Sequence, residues 1–208
     1  MAIPDAQPWT AETPKLYDAT VSTDTETVTI RIGFRSVAIA GDIITVNGEK
    51  IVFRGVNRHE WHPRTGRTLD EQTMRADLEL MKRHGVNAIR TSHYPPNARF
   101  LDLCDEYGVW VLLECDLETH GFERGGWDGN PTNDDRWYDC LLNRIQRTVE
   151  RDKNHPAIIG WSMGNESHCG EGIRLMNDWV KNRDPSRFTH YEGDDAHTCL
   201  LYTSPSPR

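Results

Sequence analysis

The sequence has no apolar stretch that approaches the roughly 18 to 20 continuous residues that a transmembrane helix needs. Its beginning, MAIPDAQPWT, lacks the basic and apolar regions of a secretory signal peptide. Basic residues are in the minority, with 24 Lys and Arg against 32 Asp and Glu and a net charge of −8. We therefore expect a cytoplasmic location, no membrane partner and no nucleic-acid partner.

Cysteine is scarce and irregularly placed. The five cysteines are odd in number, and no two of them form a C-x-x-C pair. Disulfide frameworks need paired cysteines, and zinc ribbons need C-x-x-C motifs, so the sequence indicates neither. Reduced thiols agree with the cytoplasmic location.

The beginning of the chain has the alternating pattern of β-strands. In VTIRIGFRSV, apolar side chains occupy alternate positions from Val28 to Phe34, which is typical of a strand with one buried face. NGEK then supplies a hairpin turn between IITV and IVF. We predict that residues 1–48 are the C-terminal part of a β-sandwich.

From residue 49 onward, strands alternate with helices. Strands are predicted at 51–57, 87–92, 109–116, 157–163 and 188–192. The intervening segments have helical spacing, and the first helix is predicted to begin at a capping box from Thr68 to Glu71 and to stop at Gly85. Such alternation indicates parallel strands joined by helical crossovers. The fold class predicted for residues 49–197 is α/β, an incomplete (β/α)8 TIM barrel with about five of its eight strands.

Each of the first four strands is followed by unusual polar chemistry. The four junctions read RGVNRHEWHP, RTSHYPP, ECDLETHG and GNESHCG. In a TIM barrel these junctions share the C-terminal face, where active sites lie. One such side chain alone is more often a structural group or a helix cap, so the prediction depends on the coincidence of four junctions. The candidates are His59, Glu60, His62, Arg90, His93, Glu118, His120, Asn165 and Glu166.

A metal-dependent barrel hydrolase is one alternative, because histidines are frequent at these junctions. However, HEWH separates its two histidines by three positions, whereas the zincin pattern needs four. Pro63 follows at once and interrupts any helix there. The pattern therefore disfavours this alternative.

Several motifs, in order, resemble those of β-galactosidases of glycoside hydrolase family 2. They are RGVNRHEWHP, DEQTM, IRTSHYP, ETHG, RDKNHPAIIGWSMGNES and DPSR. The resemblance covers about residues 9–197, and PWTAETPKLY and IGFR resemble the end of the immunoglobulin-like domain that precedes the barrel in that family. It implies hydrolysis of terminal β-D-galactosides such as lactose, with a homo-oligomer as the complete enzyme.

The resemblance also implies roles for particular residues. Glu166 corresponds to the general acid/base, and the neighbouring Asn165 to the residue that hydrogen-bonds the sugar 2-hydroxyl. Glu118, His120 and Glu166 correspond to ligands of a magnesium ion. The remaining positions that the resemblance assigns to substrate binding are His59, His93 and Arg90. A sodium ion would be held by residues that this chain lacks.

A retaining glycosidase needs a second carboxylate about 5 to 5.5 Å from the acid/base. In the family this nucleophile follows a later barrel strand, so it is expected to be missing here, and Glu192 is not expected to replace it. The ending CLLYTSPSPR has no barrel pattern, and residues 198–208 are interpreted as a foreign or frame-shifted tail. The chain alone is therefore expected to be inactive.

Two further alternatives stay open. One is a non-catalytic, carbohydrate-binding piece of such an enzyme. The other is a β-glucuronidase or β-mannosidase relative, although GNES together with SHYP and ETHG favours a galactosidase.

Overall fold

The structure is a computed structural model, and it describes residues 5–193. The predicted tail at 198–208 lies outside the described residues. The domain boundary between residues 48 and 49 stays a prediction.

The N-terminal part consists of two small antiparallel sheets. The first pairs β1, Tyr17–Ser22, with β2, Thr27–Ile32. The second has the order β3, Val37–Ala40, then β4, Ile43–Val46, then β5, Glu49–Lys50. The predicted hairpin turn lies between β4 and β5, where Asn47 and Gly48 both have positive φ, at 53° and 84°. These angles are the reason for the Asn-Gly pair, since such turns favour residues that tolerate positive φ.

The expected buried face of the strand in VTIRIGFRSV is wrong for the described residues. Val28 and Ile30 of β2 are 44% and 37% exposed, and Val21 of the partner strand is 58% exposed. Alternation indicated correctly that β2 is a strand, but within residues 5–193 only Ile32 and Phe34 of this face are half-buried, whereas Val28 and Ile30 stay exposed.

The larger part contains a parallel sheet whose five strands lie in sequence order. The strands are β6, Gly55–Arg58; β7, Ala88–Thr91; β8, Trp110–Glu114; β9, Ile158–Ser162; and β10, Phe188–His190. Each is a shortened version of a predicted strand, except that β6 begins four residues late and extends one residue further, to Arg58. Residue 51 instead continues the second small sheet, because Ile51 N donates to Ile44 O over 3.1 Å. In the wall of a TIM barrel, neighbouring strands follow one another in the chain, so this strand order agrees with the predicted barrel.

Four α-helices connect the strands. They are α1, Glu71–Arg83; α2, Ala98–Tyr107; α3, Tyr138–Asp152; and α4, Glu171–Arg183. Their buried faces include Leu78 of α1 and Leu103 of α2, both with no exposed surface. Between β8 and α3 the chain forms three short 3-10 helices, His120–Gly125, Pro131–Asn133 and Asp135–Trp137.

The predicted capping box at the start of α1 is wrong in its cap residue. Asp70, not Thr68, precedes the helix, and its Oδ1 accepts a hydrogen bond of 2.8 Å from Thr73 N. Thr68 belongs to the turn before it, where its backbone N donates to Thr65 O. A carboxylate suits this position because it accepts an orphan N–H at the positive end of the helix.

The segment before β1 anchors the N-terminal part to the bottom of the parallel sheet. Trp9 is fully buried, packs edge-on against Trp110 at 5.0 Å, and donates through Nε1 to Asp105 O at 3.0 Å. Arg35 donates to the carbonyls of Pro156 and Ile158, at the beginning of β9. These contacts lie at the N-terminal ends of the strands, which leaves the C-terminal ends for the predicted site.

No helix among the described residues is long and apolar enough to span a membrane.

Candidate active site

The residues after β9 form a tight turn that presents Asn165 and Glu166 at the C-terminal face of the sheet. Glu166 has a positive φ of 33°, and neighbouring strand ends hold the turn. Asn165 N donates to Leu117 O at 2.8 Å, and Glu166 N donates to Glu192 Oε1 at 2.7 Å. Tyr191 Oη accepts from Ser167 N at 2.9 Å. The loops after β8 and β10 therefore fix the backbone of the Asn-Glu pair.

Glu118, His120 and Glu166 form a cluster of ligand-type side chains. One potential ligand atom from each lies within 4.8 Å of the others. His120 Nδ1 is 2.8 Å from Glu166 Oε2, and His120 Nε2 is 2.7 Å from Glu123 Oε2. The pKa of His120 is raised by its hydrogen bond to Glu123 and by the charge of Glu166. Two carboxylates and one imidazole in contact with solvent are a donor set that fits a hydrated divalent cation.

Glu114, the last residue of β8, is a buried carboxylate shared by several donors. It has no exposed surface, and its Oε2 accepts from Arg90 Nε at 2.5 Å and from Ser162 Oγ at 2.7 Å. Its Oε1 is 2.6 Å from His93 Nδ1. A buried carboxylate is costly unless donors compensate its charge, and here a guanidinium, a hydroxyl and an imidazole surround it.

Asn165 connects the Glu114 group to the ligand-type cluster. It is 6% exposed; its Oδ1 accepts from Arg90 Nη2 at 2.8 Å, and its Nδ2 donates to Glu118 Oε1 at 3.2 Å. These bonds assign the amide oxygen and nitrogen without ambiguity, because Arg90 can only donate and a carboxylate can only accept. Three strand ends are thus joined in one polar network.

This network borders a cavity of about 610 Å³. The polar residues that line it are Asn57, Arg90, His93, Glu118, Asn165, Glu166, His190 and Glu192. His190 lies at the end of β10, where burial and the nearby charge of Arg90 lower its pKa to about 3. Its imidazole is therefore neutral at physiological pH.

The three candidates of the first junction, His59, Glu60 and His62, do not line this cavity. His59 packs edge-on against His93 with ring centroids 5.1 Å apart, and both border a second cavity of about 650 Å³. Glu60 accepts from Asn97 N, and His62 Nδ1 accepts from Arg64 N and Thr65 N. Glu60 therefore has a structural partner at the start of α2, and His62 has partners in its own loop.

Sequence reasoning missed four residues of the site. They are Glu114, Glu123, His190 and Glu192. Glu114 had a readable signal, because a carboxylate closes the apolar strand WVLLE, where a fully buried position is expected. Glu123 had none, since its contact with His120 depends on the 3-10 helix His120–Gly125.

The fold and the polar strand ends are those of part of a TIM-barrel domain. A model of "Glycosyl hydrolases family 2, TIM barrel domain" matches residues 37–205, and a model of "Glycosyl hydrolases family 2" matches residues 1–35. The chain belongs to glycosyl hydrolases family 2.

Curated relatives include β-galactosidases. The chain is 57% identical over 194 residues to a β-galactosidase of Arthrobacter sp. (strain B7) and 45% identical over 197 residues to one of Vibrio cholerae. These alignments cover 93% and 91% of this chain but only 19% of each relative. The chain therefore spans about a fifth of the length of the curated relatives it matches.

Similar solved structures include enzymes for acidic sugars. A β-glucuronidase from an uncultured Clostridium superposes with a TM-score of 0.81 at 28% identity, over 90% of this chain and 33% of that one. A β-galacturonidase from Eisenbergiella tayi superposes with a TM-score of 0.78 at 30% identity, over 92% of this chain and 34% of that one.

Proposed function

We propose that this chain carries the acid/base side of the active site of a β-galactosidase that works by a retaining double displacement. The observation that carries the proposal is the Asn165–Glu166 pair, held at the end of β9 by the loops after β8 and β10 and bordering a cavity with Arg90 and Glu118. The 57% identity to the Arthrobacter β-galactosidase supports the substrate class.

Glu166 is the general acid/base in this proposal. Its side chain is 47% exposed, so it can reach a glycosidic oxygen in the cavity. It would protonate the leaving oxygen in the first step and accept a proton from water in the second. Asn165 beside it has two N–H donors, one of which is directed to Glu118. The other suits the sugar 2-hydroxyl, a contact that strengthens in the oxocarbenium-like transition state.

Glu118, His120 and Glu166 would hold a magnesium ion. Their two carboxylates are the oxygen donors that magnesium prefers, whereas an imidazole is a less usual ligand for it. Their exposure leaves room for the waters that magnesium retains. When bound, the ion would supply positive charge that lowers the pKa of neighbouring acidic groups.

A neutral sugar fits the cavity better than an acidic one. Arg90 is the only Lys or Arg lining the cavity within residues 5–193, and its guanidinium already pairs with Glu114. Three carboxylates, Glu118, Glu166 and Glu192, line the same cavity. Glu118 and Glu166 would share the charge of the proposed magnesium ion, which leaves Glu192 as the carboxylate that would repel a uronic acid. Together with the 57% identity to a β-galactosidase, this favours a galactoside over the glucuronide or galacturonide that the structural neighbours suggest as the second candidate.

The nucleophile is not assigned to any described residue. Glu192 lines the cavity, but its Oε1 accepts the backbone N–H of Glu166, which makes it a support of the acid/base turn. The reaction is therefore tested in a hybrid enzyme, defined as the Arthrobacter β-galactosidase whose 194 aligned residues are replaced by the matching part of this chain.

The experiment compares nitrophenyl β-galactoside, β-glucuronide and β-galacturonide as substrates of the hybrid enzyme. We expect hydrolysis of the galactoside, with the β-anomer as the first product by NMR. Preference for either uronide would overturn the substrate class, and α-galactose as the first product would overturn the retaining mechanism. The Glu166→Gln hybrid, assayed with lactose, distinguishes activity of this chain from contamination by a host enzyme, because its loss should be large on that substrate.

A further inference from the structure

Glu114 makes polar contacts to residues of the cavity wall that the end of a strand does not by itself require. It is the last residue of β8 and is fully buried, and its two oxygens face two residues that line the cavity, Arg90 and His93. It does not line the cavity itself, so it reaches a ligand only through these neighbours.

One oxygen of Glu114 determines where Arg90 points. Oε2 receives Arg90 Nε, which leaves Nη2 to donate to Asn165 Oδ1 at 2.8 Å. Because the guanidinium is planar and rigid, fixing Nε also fixes the direction of Nη2. Arg90 in turn holds the Asn165 amide, whose nitrogen is directed toward Glu118.

The other oxygen determines the form of His93. With Oε1 at 2.6 Å from Nδ1, a carboxylate that can only accept keeps a proton on that nitrogen. In the neutral imidazole Nε2 is then the acceptor. Glu114 thus sets both the direction and the hydrogen-bonding character of a ring at the cavity wall.

We propose that Glu114 is a positioning residue of the sugar site: it fixes His93 directly and, through Arg90, fixes Asn165 for the sugar 2-hydroxyl. The second part rests on the proposed function, in which Asn165 makes that contact. The first part concerns only the chain's own hydrogen bonds and stands independently.

Glu114→Gln is an informative variant because it keeps the shape and changes one acceptor into a donor. Arg90 Nε and Ser162 Oγ both point at Oε2, so the amide oxygen is expected there and the NH2 group faces His93 Nδ1. Arg90 loses its ionic partner, and His93 must accept at Nδ1 or turn away.

The kinetic test uses the hybrid enzyme with nitrophenyl β-galactoside and its 2-deoxy analogue. The ratio of their kcat/KM values measures the 2-hydroxyl contact. We expect Glu114→Gln to lower this ratio about tenfold, the difference between a well-held and a loosely held hydrogen bond to a polar partner. A merely structural role would lower both kcat/KM values by one factor and leave the ratio unchanged, which would overturn the proposal.

Asp105→Asn is the matched control. Asp105 is also a buried carboxylate paired with a histidine, since its Oδ2 is 2.6 Å from His155 Nδ1, but it lies at the opposite end of the strands. We expect this variant to lose stability without a change in the substrate ratio. A reduced ratio in Asp105→Asn would show that general loosening, not Glu114, controls the 2-hydroxyl contact.

A second measurement does not depend on a Glu114 variant and uses the 208-residue chain itself. The 15N signals of the His93 ring are assigned by their loss in His93→Gln. They are followed as the pH is raised until they stop changing, so that the neutral ring is observed and its two nitrogens show which one carries the proton. We expect the proton on Nδ1; a proton on Nε2 would overturn the proposal. If the wild-type hybrid hydrolyses galactosides but does not discriminate against the 2-deoxy sugar, the role proposed for Asn165 is wrong. The proposal that Glu114 fixes His93 would still be tested by the position of the proton on the His93 ring.

Discussion

Glu166 Oε2 lies 2.8 Å from His120 Nδ1, while the backbone N–H of the same Glu166 donates to Glu192. The side chain of the proposed acid/base is thus held from the β8 loop, and its main chain from the β10 loop. The two contacts involve different residues, His120 and Glu192, so each can be removed by a separate substitution.

Glu166→Gln in the hybrid enzyme should remove acid assistance to poor leaving groups. General acid catalysis contributes about 10² to 10⁴-fold, so hydrolysis of lactose should fall by at least that range. A nitrophenyl leaving group needs little protonation, so the nitrophenyl galactoside should lose much less in the first step. Glu171→Gln, an exposed glutamate paired with Arg174 on α4, is the control and should leave both rates unchanged. Equal losses on the two substrates in Glu166→Gln would contradict the acid role.

Glu118→Gln should weaken magnesium binding more than Glu123→Gln does. Glu118 would contact the ion, whereas Glu123 only orients His120 through a 2.7 Å contact to Nε2. Loss of such an orienting partner costs about 10 to 100-fold in metal affinity, and loss of a ligand should exceed this. Calorimetric titration of the EDTA-treated hybrid enzyme with magnesium gives both affinities. Equal affinities in wild type and Glu118→Gln would remove Glu118 from the ligand set.

The stability of the chain should fall below about pH 6.5 because His190 is buried and neutral. Its pKa is lowered from 6.5 to about 3, first by burial and then by the charge of Arg90. Between these two values the unfolded state binds the proton and the folded state does not, so stability rises with pH in this window. At pH 5 the loss from this group is about 2 kcal/mol.

Urea unfolding of the 208-residue chain at pH 7, 6 and 5 measures this dependence. His190→Gln should be less stable at pH 7 but should flatten the decline toward pH 5. His84→Gln, which changes a histidine exposed after α1, should keep the wild-type decline. A decline in His190→Gln as steep as in the wild type would assign the acid sensitivity to other groups.

Gly108→Ala should destabilise the chain more than Gly85→Ala. Both glycines follow helices with nearly the same φ, +70° and +71°, so the left-handed backbone costs a new side chain about 1 to 2 kcal/mol at each. A Cβ at Gly108 would also lie 2.3 Å from Ala11 O, whereas nothing lies within 4 Å of a Cβ at Gly85. The collision should add about 1 to 3 kcal/mol. Urea midpoints with unchanged slopes measure the difference, and equal midpoints would show that the segment around Ala11 is not packed against α2.

Periodicity predicted the alternation of strands and helices because the buried faces are continuous. Leu103 of α2 and Val149 of α3 each belong to a row of apolar residues at helical spacing, and both are fully buried. The same rule was wrong at Val28 and Ile30, since alternation reports a strand's two faces and not whether anything covers them. It also could not separate Asp70 from Thr68 as the cap of α1, because both residue types cap helices and the boundary is set by the preceding turn.

The sequence predicted which strand ends hold most of the candidate site, because the ends of neighbouring parallel strands lie at the same edge of a sheet. Arg90 and His93 come from the second junction and Asn165 from the fourth, yet all three connect to one network. The centre of that network, Glu114, is the last residue of β8 and was not among the candidates, although it is the first residue of the junction ECDLETHG. Its partners follow from the side-chain directions of three strands, which no local pattern contains.

The anchoring of Trp9 and Arg35 at the start of the strands has a consequence for engineering. Contacts that join the N-terminal part to the sheet lie at one end of β8 and β9, and the candidate chemistry lies at the other. Randomised libraries confined to the strand-to-helix loops would therefore sample new substrates without loosening the anchor. Conversely, heat-tolerant variants selected around Trp9 should retain the wild-type preference among sugars.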